Sequence, residues 1–317
     1  MQKLVIACIC LIMAECADAQ ILFNPDSAYF FIQKQLNFGP RVPGTIGHSQ
    51  CATFFIEKLN SYNARVEVQQ FTTAQYDSTQ LDLKNIIASF HPELSPRILL
   101  AAHWDTRPFA DKDKTNADIP IAGANDGASG PAVLLEIARL LSALPADNLK
   151  YGVDIILFDG EDQGEPHGYQ IKRTIENAGK IWWCLGSQYW SKNPHSLASK
   201  AKFGILLDMV GAPNATFYKE GGSMQFAAKY MNKVWRIARK SGFQQYFINQ
   251  KVAGIMDDHI FVSKDAGIPM LNIIHLSSEN EDSFPHYHHK HTDDISCINK
   301  STLNAVGSTI VQVLVDN

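Results

Sequence analysis

The feature that most restricts the fold is a set of short apolar runs, each followed at once by polar residues. Their length and low charge are typical of strands buried on both faces of a sheet. Helical patterns lie between the runs, so the sequence predicts an α/β domain with a mostly parallel central sheet and helices on both faces. The predicted strands cover 98–102, 153–158, 203–207 and 270–274, and the helices 130–144, 225–240, 257–264 and 299–315.

The N-terminal third adds further elements to this sheet. Helices are predicted at 24–38 and 45–59, the first with Asn as cap and Pro in its first turn. Residues 64–71 and 83–90 alternate as the strands of a hairpin do. We find no repeat and no linker, so a single mixed domain is expected at 20–317. The long segments 105–123 and 165–200 are predicted as loops over the strand ends.

The first nineteen residues resemble a signal peptide. Lys3 precedes an apolar stretch at 4–14, and Ala17-Asp18-Ala19 fits the cleavage rule. The stretch is too short to span a bilayer, so we expect export to the periplasm or medium and no transmembrane segment. A lipid anchor on Cys16 is the alternative.

Composition narrows the choice of partner. The net charge is −4, and no run of Lys or Arg forms a basic patch, so nucleic acid is not expected. A small molecule or a peptide is the expected partner. Outside the leader lie Cys51, Cys184 and Cys297, of which two could form a disulfide or all could be buried thiols.

Acidic or imidazole side chains follow the apolar runs in five places. An open α/β sheet binds its ligand at the carboxyl ends of its strands, so these side chains are expected to converge. Each acid alone could be a helix cap or a surface group. Together they predict a site for a zinc ion held by carboxylates and imidazoles. The five stretches are 101–105, 123–126, 158–162, 206–209 and the histidine-rich tract 286–291.

These motifs resemble the glutaminyl-peptide cyclotransferase (glutaminyl cyclase) family, which is built on the zinc aminopeptidase fold. The specific parts are Leu207-Asp208-x-x-Gly211-Ala212-Pro213-Asn214 and Asp257-Asp258-His259. The segment 183–190, Trp-Cys-Leu-Gly-Ser-Gln-Tyr-Trp, resembles the bacterial branch. The resemblance covers most of the chain after the leader.

The resemblance implies a metal site of two acids and one histidine. They correspond to Asp126, Asp162 and a histidine of the tract. The family has a carboxylate four residues after this histidine and an apolar residue nine after it. His289 satisfies both conditions, with Asp293 and Ile298, whereas His291 has Ile295 at the acid position. His289 is therefore the predicted ligand, with one zinc ion per chain.

The resemblance also implies the catalytic residues. Glu161 corresponds to the general base, and Asp208 and Asp257 to the acids that hold the substrate amine. His103 and Asp208 correspond to ligands of a second metal in aminopeptidases, so a two-metal site remains an alternative.

The substrate pocket departs from that of animal relatives. His288 stands where they have Trp, Lys290 replaces Thr, and Asp162 is shorter than their Glu. Trp183, Phe284 and Tyr287 are predicted pocket walls.

The implied reaction converts the N-terminal Gln of peptides and proteins to pyroglutamate and releases ammonia. A di-zinc aminopeptidase that hydrolyses N-terminal residues is one alternative. A non-catalytic peptide-binding protein is the other.

Overall fold

The computed structural model describes residues 22–171, 174–175, 177–277 and 283–316. The predicted signal peptide lies outside the described residues. The described residues form eight strands: β1 (Arg65–Ala74), β2 (Gln80–Phe90), β3 (Arg97–His103), β4 (Gly152–Phe158), β5 (Ala201–Asp208), β6 (Phe217–Lys219), β7 (Phe247–Lys251) and β8 (Met270–Ile274).

Six of the strands form one mixed sheet in the order β1-β2-β4-β3-β5-β8. β3, β4, β5 and β8 are parallel to one another, and β1 and β2 pair antiparallel at one edge. The prediction of a mostly parallel sheet is confirmed, and so is the hairpin. β6 and β7 make a separate two-stranded sheet that the sequence pattern did not predict.

Helices cover both faces of the sheet. The first begins at Pro25 because the Asn24 side chain accepts hydrogen bonds from the N–H groups of Asp26 and Ser27. The helices are α1 (Pro25–Leu36), α2 (Ile46–Ser61), α3 (Ser129–Ala143), α4 (Leu185–Lys192), α5 (Gly221–Lys240), α6 (Asp258–Asp265) and α7 (Lys300–Val315). Among the described residues, none of these helices is long and apolar enough to cross a membrane.

The side chains of β3 show why this strand is apolar from Ile98 to Ala102. Ile98, Leu100 and Ala102 pack into the larger core, which includes α1, α2, α3 and α7. Leu99 and Ala101 face the other way, into a smaller core that includes side chains of α4 and α6. Because successive strand residues point to opposite faces, a strand covered on both sides is apolar on both faces along its central positions.

Two sequence predictions are corrected here. The segment 165–200 is not a continuous loop, because it contains α4, and α5 begins at Gly221 rather than at residue 225. Cys51, Cys184 and Cys297 are all free, so they form no disulfide; Cys51 and Cys184 are buried thiols as predicted, whereas Cys297 is partly exposed.

Candidate active site

Three parallel strands end at one edge of the sheet, and each brings a polar side chain to it. His103 is the last residue of β3 and Asp208 the last of β5. Glu161 and Asp162 follow β4, which ends at Phe158. β3 pairs in parallel with both β4 and β5, so the three carboxyl ends lie side by side.

Loops bring the remaining predicted residues to the same edge. Asp126 lies just before α3, Asp257 caps α6 and His289 lies between β8 and α7. A cavity of about 400 Å³ is lined by all the predicted ligands and catalytic acids. These are Asp126, Glu161, Asp162, Asp208, Asp257 and His289.

The predicted metal ligands are buried, and both acids lie near the same nitrogen of His289. His289 Nε2 lies 3.0 Å from Asp162 Oδ1 and 3.9 Å from Asp126 Oδ2. His288 Nε2 also lies near this group, 3.8 Å from Asp126 Oδ2. By contrast, His291 pairs with Asp113 at 2.7 Å, and its side chain is 37% exposed. The structure therefore places His289, not His291, among the acids.

This donor set fits a zinc ion. Asp162 Oδ2 is buried with no hydrogen-bond partner, a costly arrangement unless a cation or a water binds there. Burial and the nearby carboxylate of Asp126 raise the pKa of Asp162. Two carboxylates and a neutral imidazole without a thiolate are donors that zinc accepts, and three protein ligands leave a position for substrate.

His103 joins two of the acids. Its Nε2 lies 3.1 Å from Asp126 Oδ1 and 3.2 Å from Asp208 Oδ1. These three residues offer ligand atoms within 4.8 Å of one another, so the geometry alone also suits a second ion.

Glu161 is held at both its backbone and its side chain. Its N–H donates to Asp105 Oδ1 at 3.0 Å, and the Cys184 thiol donates to its Oε1 at 3.2 Å. Burial raises the pKa of Glu161 well above the usual value, and the carboxylates of Asp162 and Asp257 raise it further. A carboxyl group with a raised pKa is suited to taking up and returning a proton.

The pKa values of the two other predicted acids are also raised. Burial and the neighbouring Asp257 raise the pKa of Asp208 to about 7. Burial also raises the pKa of Asp257, whose carboxylate accepts hydrogen bonds from Asp258 N at 2.6 Å and Asn272 Nδ2 at 2.5 Å. Acids with shifted pKa values that cluster in a cavity are typical of an active site.

Asp293 supports the loop that carries Asp126. Its two carboxylate oxygens accept from Asn125 N at 2.7 Å and Asp126 N at 3.0 Å. Asp293, the carboxylate four residues after His289, therefore fixes the backbone at Asp126.

The sequence analysis missed two residues that support the site. The buried guanidinium of Arg107 donates to the carbonyl groups of Asp162, Gly164 and Glu165. It also pairs with Asp111 at 2.6 Å, and Asp111 Oδ1 in turn lies 3.5 Å from His289 Nδ1. No periodicity marks these residues. The sequence pointed to them through the unusual length of the loop that contains them, without giving either residue a role.

Two of the three predicted pocket walls line the cavity. Trp183 stacks on His289 with ring centroids 5.8 Å apart, and Phe284 stacks on His288 at 4.1 Å. Tyr287 does not line it. Its buried hydroxyl accepts from Asn125 Nδ2 and lies 2.7 Å from His275 Nδ1, beside a different cavity.

Comparisons with known proteins agree with this geometry. The model of peptidase family M28 matches residues 85–314. The glutaminyl-peptide cyclotransferase of Drosophila melanogaster is 28% identical over 284 residues, covering 83% of this chain and 73% of the relative.

Solved bacterial structures are more similar. The crystal structure of Tannerella forsythia glutaminyl cyclase is 45% identical with a TM-score of 0.87, and the match covers 93% of this chain and 99% of the other. A leucine aminopeptidase precursor from Bacteroides thetaiotaomicron is 45% identical with a TM-score of 0.86, with 93% and 98% covered. The chain therefore belongs to peptidase family M28, in the group that contains the bacterial glutaminyl cyclases.

Proposed function

We propose that this protein is a zinc-dependent glutaminyl-peptide cyclotransferase, which converts the N-terminal Gln of peptides and proteins to pyroglutamate with release of ammonia. The observation that carries the proposal is a single cavity in which Glu161, Asp208 and Asp257 converge beside the predicted ligands. Similarity to bacterial glutaminyl cyclases over nearly the whole chain supports it.

Asp126, Asp162 and His289 would hold one zinc ion. When bound, the zinc polarises the side-chain amide carbonyl of the substrate glutamine as a Lewis acid. Arg107 and Asp293 keep the ligand geometry fixed, because they bind the backbone on either side of the cavity, at Asp162 and Asp126.

Glu161 would transfer the proton. The free α-amine of the glutamine attacks the side-chain carbonyl carbon of the same residue, so its N–H proton must leave and ammonia must gain one. An α-amine has a pKa of about 8, and a carboxylate whose own pKa is raised can take this proton and return it to the leaving nitrogen.

Asp208 and Asp257 would hold the substrate amine. Both line the cavity beside Glu161, so their carboxyl groups can accept its N–H groups and orient it toward the carbonyl. Attack within one residue depends chiefly on orientation, so a fixed near-attack geometry can lower the barrier by several kcal/mol.

A di-zinc aminopeptidase is the second candidate, because His103, Asp126 and Asp208 could hold a second ion. The two activities release different products. We expect Gln-initiated peptides to release ammonia without free amino acid, and Ala-initiated peptides to remain intact. Free amino acid from both peptides, with two zinc ions per chain, would establish the aminopeptidase instead.

Glu161→Gln tests the catalytic assignment. The variant keeps the size of the side chain but cannot act as a base, so we expect turnover to be lost while zinc content stays at one ion per chain. Retained turnover would remove Glu161 from this role. Unchanged affinity for Gln-peptides in metal-free protein would favour the non-catalytic alternative.

We also propose that residues 1–19 are a signal peptide removed on export, which leaves Gln20 as the new N-terminus. The N-terminal Gln20 would then be a substrate for the active site of the same molecule or of a neighbouring copy. Mass spectrometry of the exported protein tests both steps. A lipid on Cys16 would contradict the cleavage site, and unmodified Gln20 would contradict cyclisation of the mature end.

A further inference from the structure

Three consecutive residues of the 105–123 loop contact three histidines of the 286–291 tract. Asp111 faces His289 Nδ1 at 3.5 Å, the Lys112 ammonium lies 2.6 Å from His288 Nδ1, and Asp113 pairs with His291. Main-chain contacts fix this alignment, because Lys112 N donates to the carbonyl of His289 and His291 N donates to Asp113 Oδ2.

The contact with Asp111 determines which nitrogen of His289 can bind a metal. An ionised carboxylate only accepts hydrogen bonds, so the Nδ1 that faces it must carry the proton. Asp111 is held as an acceptor by the guanidinium of Arg107 and by the N–H of His167. The lone pair of the neutral ring is then on Nε2, the nitrogen near Asp126 and Asp162.

The contact with Lys112 has the opposite effect on His288. An ammonium group only donates, so His288 Nδ1 must accept, and the proton of the neutral ring is on Nε2. That nitrogen lies 3.8 Å from Asp126 Oδ2. With its lone pair directed at Lys112, His288 offers the metal site an N–H group and no lone pair.

We propose that Asp111 and Lys112 are positioning residues that fix opposite tautomers on the adjacent His289 and His288, and so decide which imidazole binds the metal. Both rings have an Nε2 within 4 Å of Asp126 Oδ2, so the distance to this ligand does not separate them, although His289 Nε2 also lies 3.0 Å from Asp162 Oδ1. The inference rests on the proposed metal site but not on the proposed reaction.

Nitrogen-15 NMR of the zinc-loaded protein, labelled at histidine, tests the tautomers directly. We expect the proton of His289 on Nδ1 and that of His288 on Nε2, with signals assigned from single His→Gln variants. The same tautomer on both rings would overturn the proposal, whatever the enzyme activity.

A reversal of the Lys112 contact provides a second test. His289→Gln alone should lose tight zinc binding. Adding Lys112→Glu should move the His288 proton to Nδ1, free its Nε2 lone pair and restore part of the zinc affinity. Lys114→Glu is the matched control, because it makes the same charge change at an exposed position two residues away. Equal affinities for the two double variants would contradict the proposal.

Asp111→Asn and Asp113→Asn give a readout that does not depend on the double variants folding. Removal of a carboxylate that orients a ligand histidine lowers metal affinity by about 10–100-fold. We expect a loss of this size for Asp111→Asn and no change for Asp113→Asn, measured by competition with a zinc chelator. Equal affinities in these two variants would overturn the role of Asp111, and a normal zinc content in both would leave the proposed function intact.

Discussion

Asp105→Asn should damage the site without removing any group from the cavity. Asp105 is fully buried, its Oδ1 accepts from Glu161 N, and its Oδ2 accepts from Asp162 N and Gln163 Nε2, all at 3.0 Å. Burial opposes ionisation, but hydrogen bonds from His103 and Gln163 keep the pKa of Asp105 below its usual value. It is therefore a charged acceptor that holds the residues proposed as base and ligand.

The size of the effect follows from these contacts. An asparagine has one acceptor oxygen, so at least one buried N–H faces its NH₂ group and loses its partner. An unsatisfied buried donor costs about 1–3 kcal/mol, which for a chain of this size lowers Tm by about 2–5 °C. Misplacement of Glu161 and Asp162 should lower kcat by about 10–100-fold.

Calorimetry and steady-state kinetics on the purified variant measure both effects. Asp118→Asn, a change at an exposed position in the same loop, is the control and should change neither quantity. If Asp105→Asn keeps both Tm and kcat, the carboxylate does not position Glu161 and Asp162. A lower kcat that is accounted for by unfolded protein at the assay temperature would also refute this reasoning.

Three further predictions concern acid stability, the pocket wall and the thiols. Burial opposes ionisation of Asp154, but hydrogen bonds from His195, Arg97 and Ser89 lower its pKa to about 2. The ionised carboxylate should stabilise the fold by about 2 kcal/mol above about pH 4, and this stabilisation should be lost as the pH falls toward 2. We expect Asp154→Asn to lower the free energy of unfolding at pH 5 and to make it depend less on pH in the acid range. An unchanged pH dependence of the unfolding free energy would contradict this prediction. Gly164→Ala would place a Cβ 2.0 Å from the Trp183 ring, so the ring must move. We therefore expect a raised KM and altered tryptophan fluorescence. An unchanged KM would mean that Trp183 does not contact the substrate. Cys51 and Cys184 are buried, which raises the pKa of Cys51 to about 12 and that of Cys184 well above its usual value, so a thiol reagent should label them only after denaturation. Rapid labelling of either thiol in the native protein would contradict their burial.

The sequence predicted most of the fold because burial on both faces leaves a local pattern. The runs at 98–102 and 270–274 correspond closely to β3 and to β8. Helix α4 was missed, since its eight residues are too few for a clear apolar period. The polar ends of the strands also predicted where the acids would meet, because parallel strands share one carboxyl edge.

What the sequence did not predict depends on contacts between distant segments. Asp111 and Lys112 act on the histidine tract, far along the chain, through loops with no regular period. Tyr287 was predicted as a pocket wall, but its hydroxyl instead joins Asn125 to His275 beside a different cavity. The conformation of the loop decides which side chains of such a tract face the cavity, and this conformation cannot be predicted from the composition of the tract.

Identification of the products formed from a single Gln-initiated peptide tests the central claim most directly. Mass spectrometry together with an ammonia assay should show a peptide lighter by one ammonia, with ammonia released in equal amount and no free glutamine. The same peptide shortened by one residue, with free glutamine in solution, would show instead that the cavity cleaves peptide bonds.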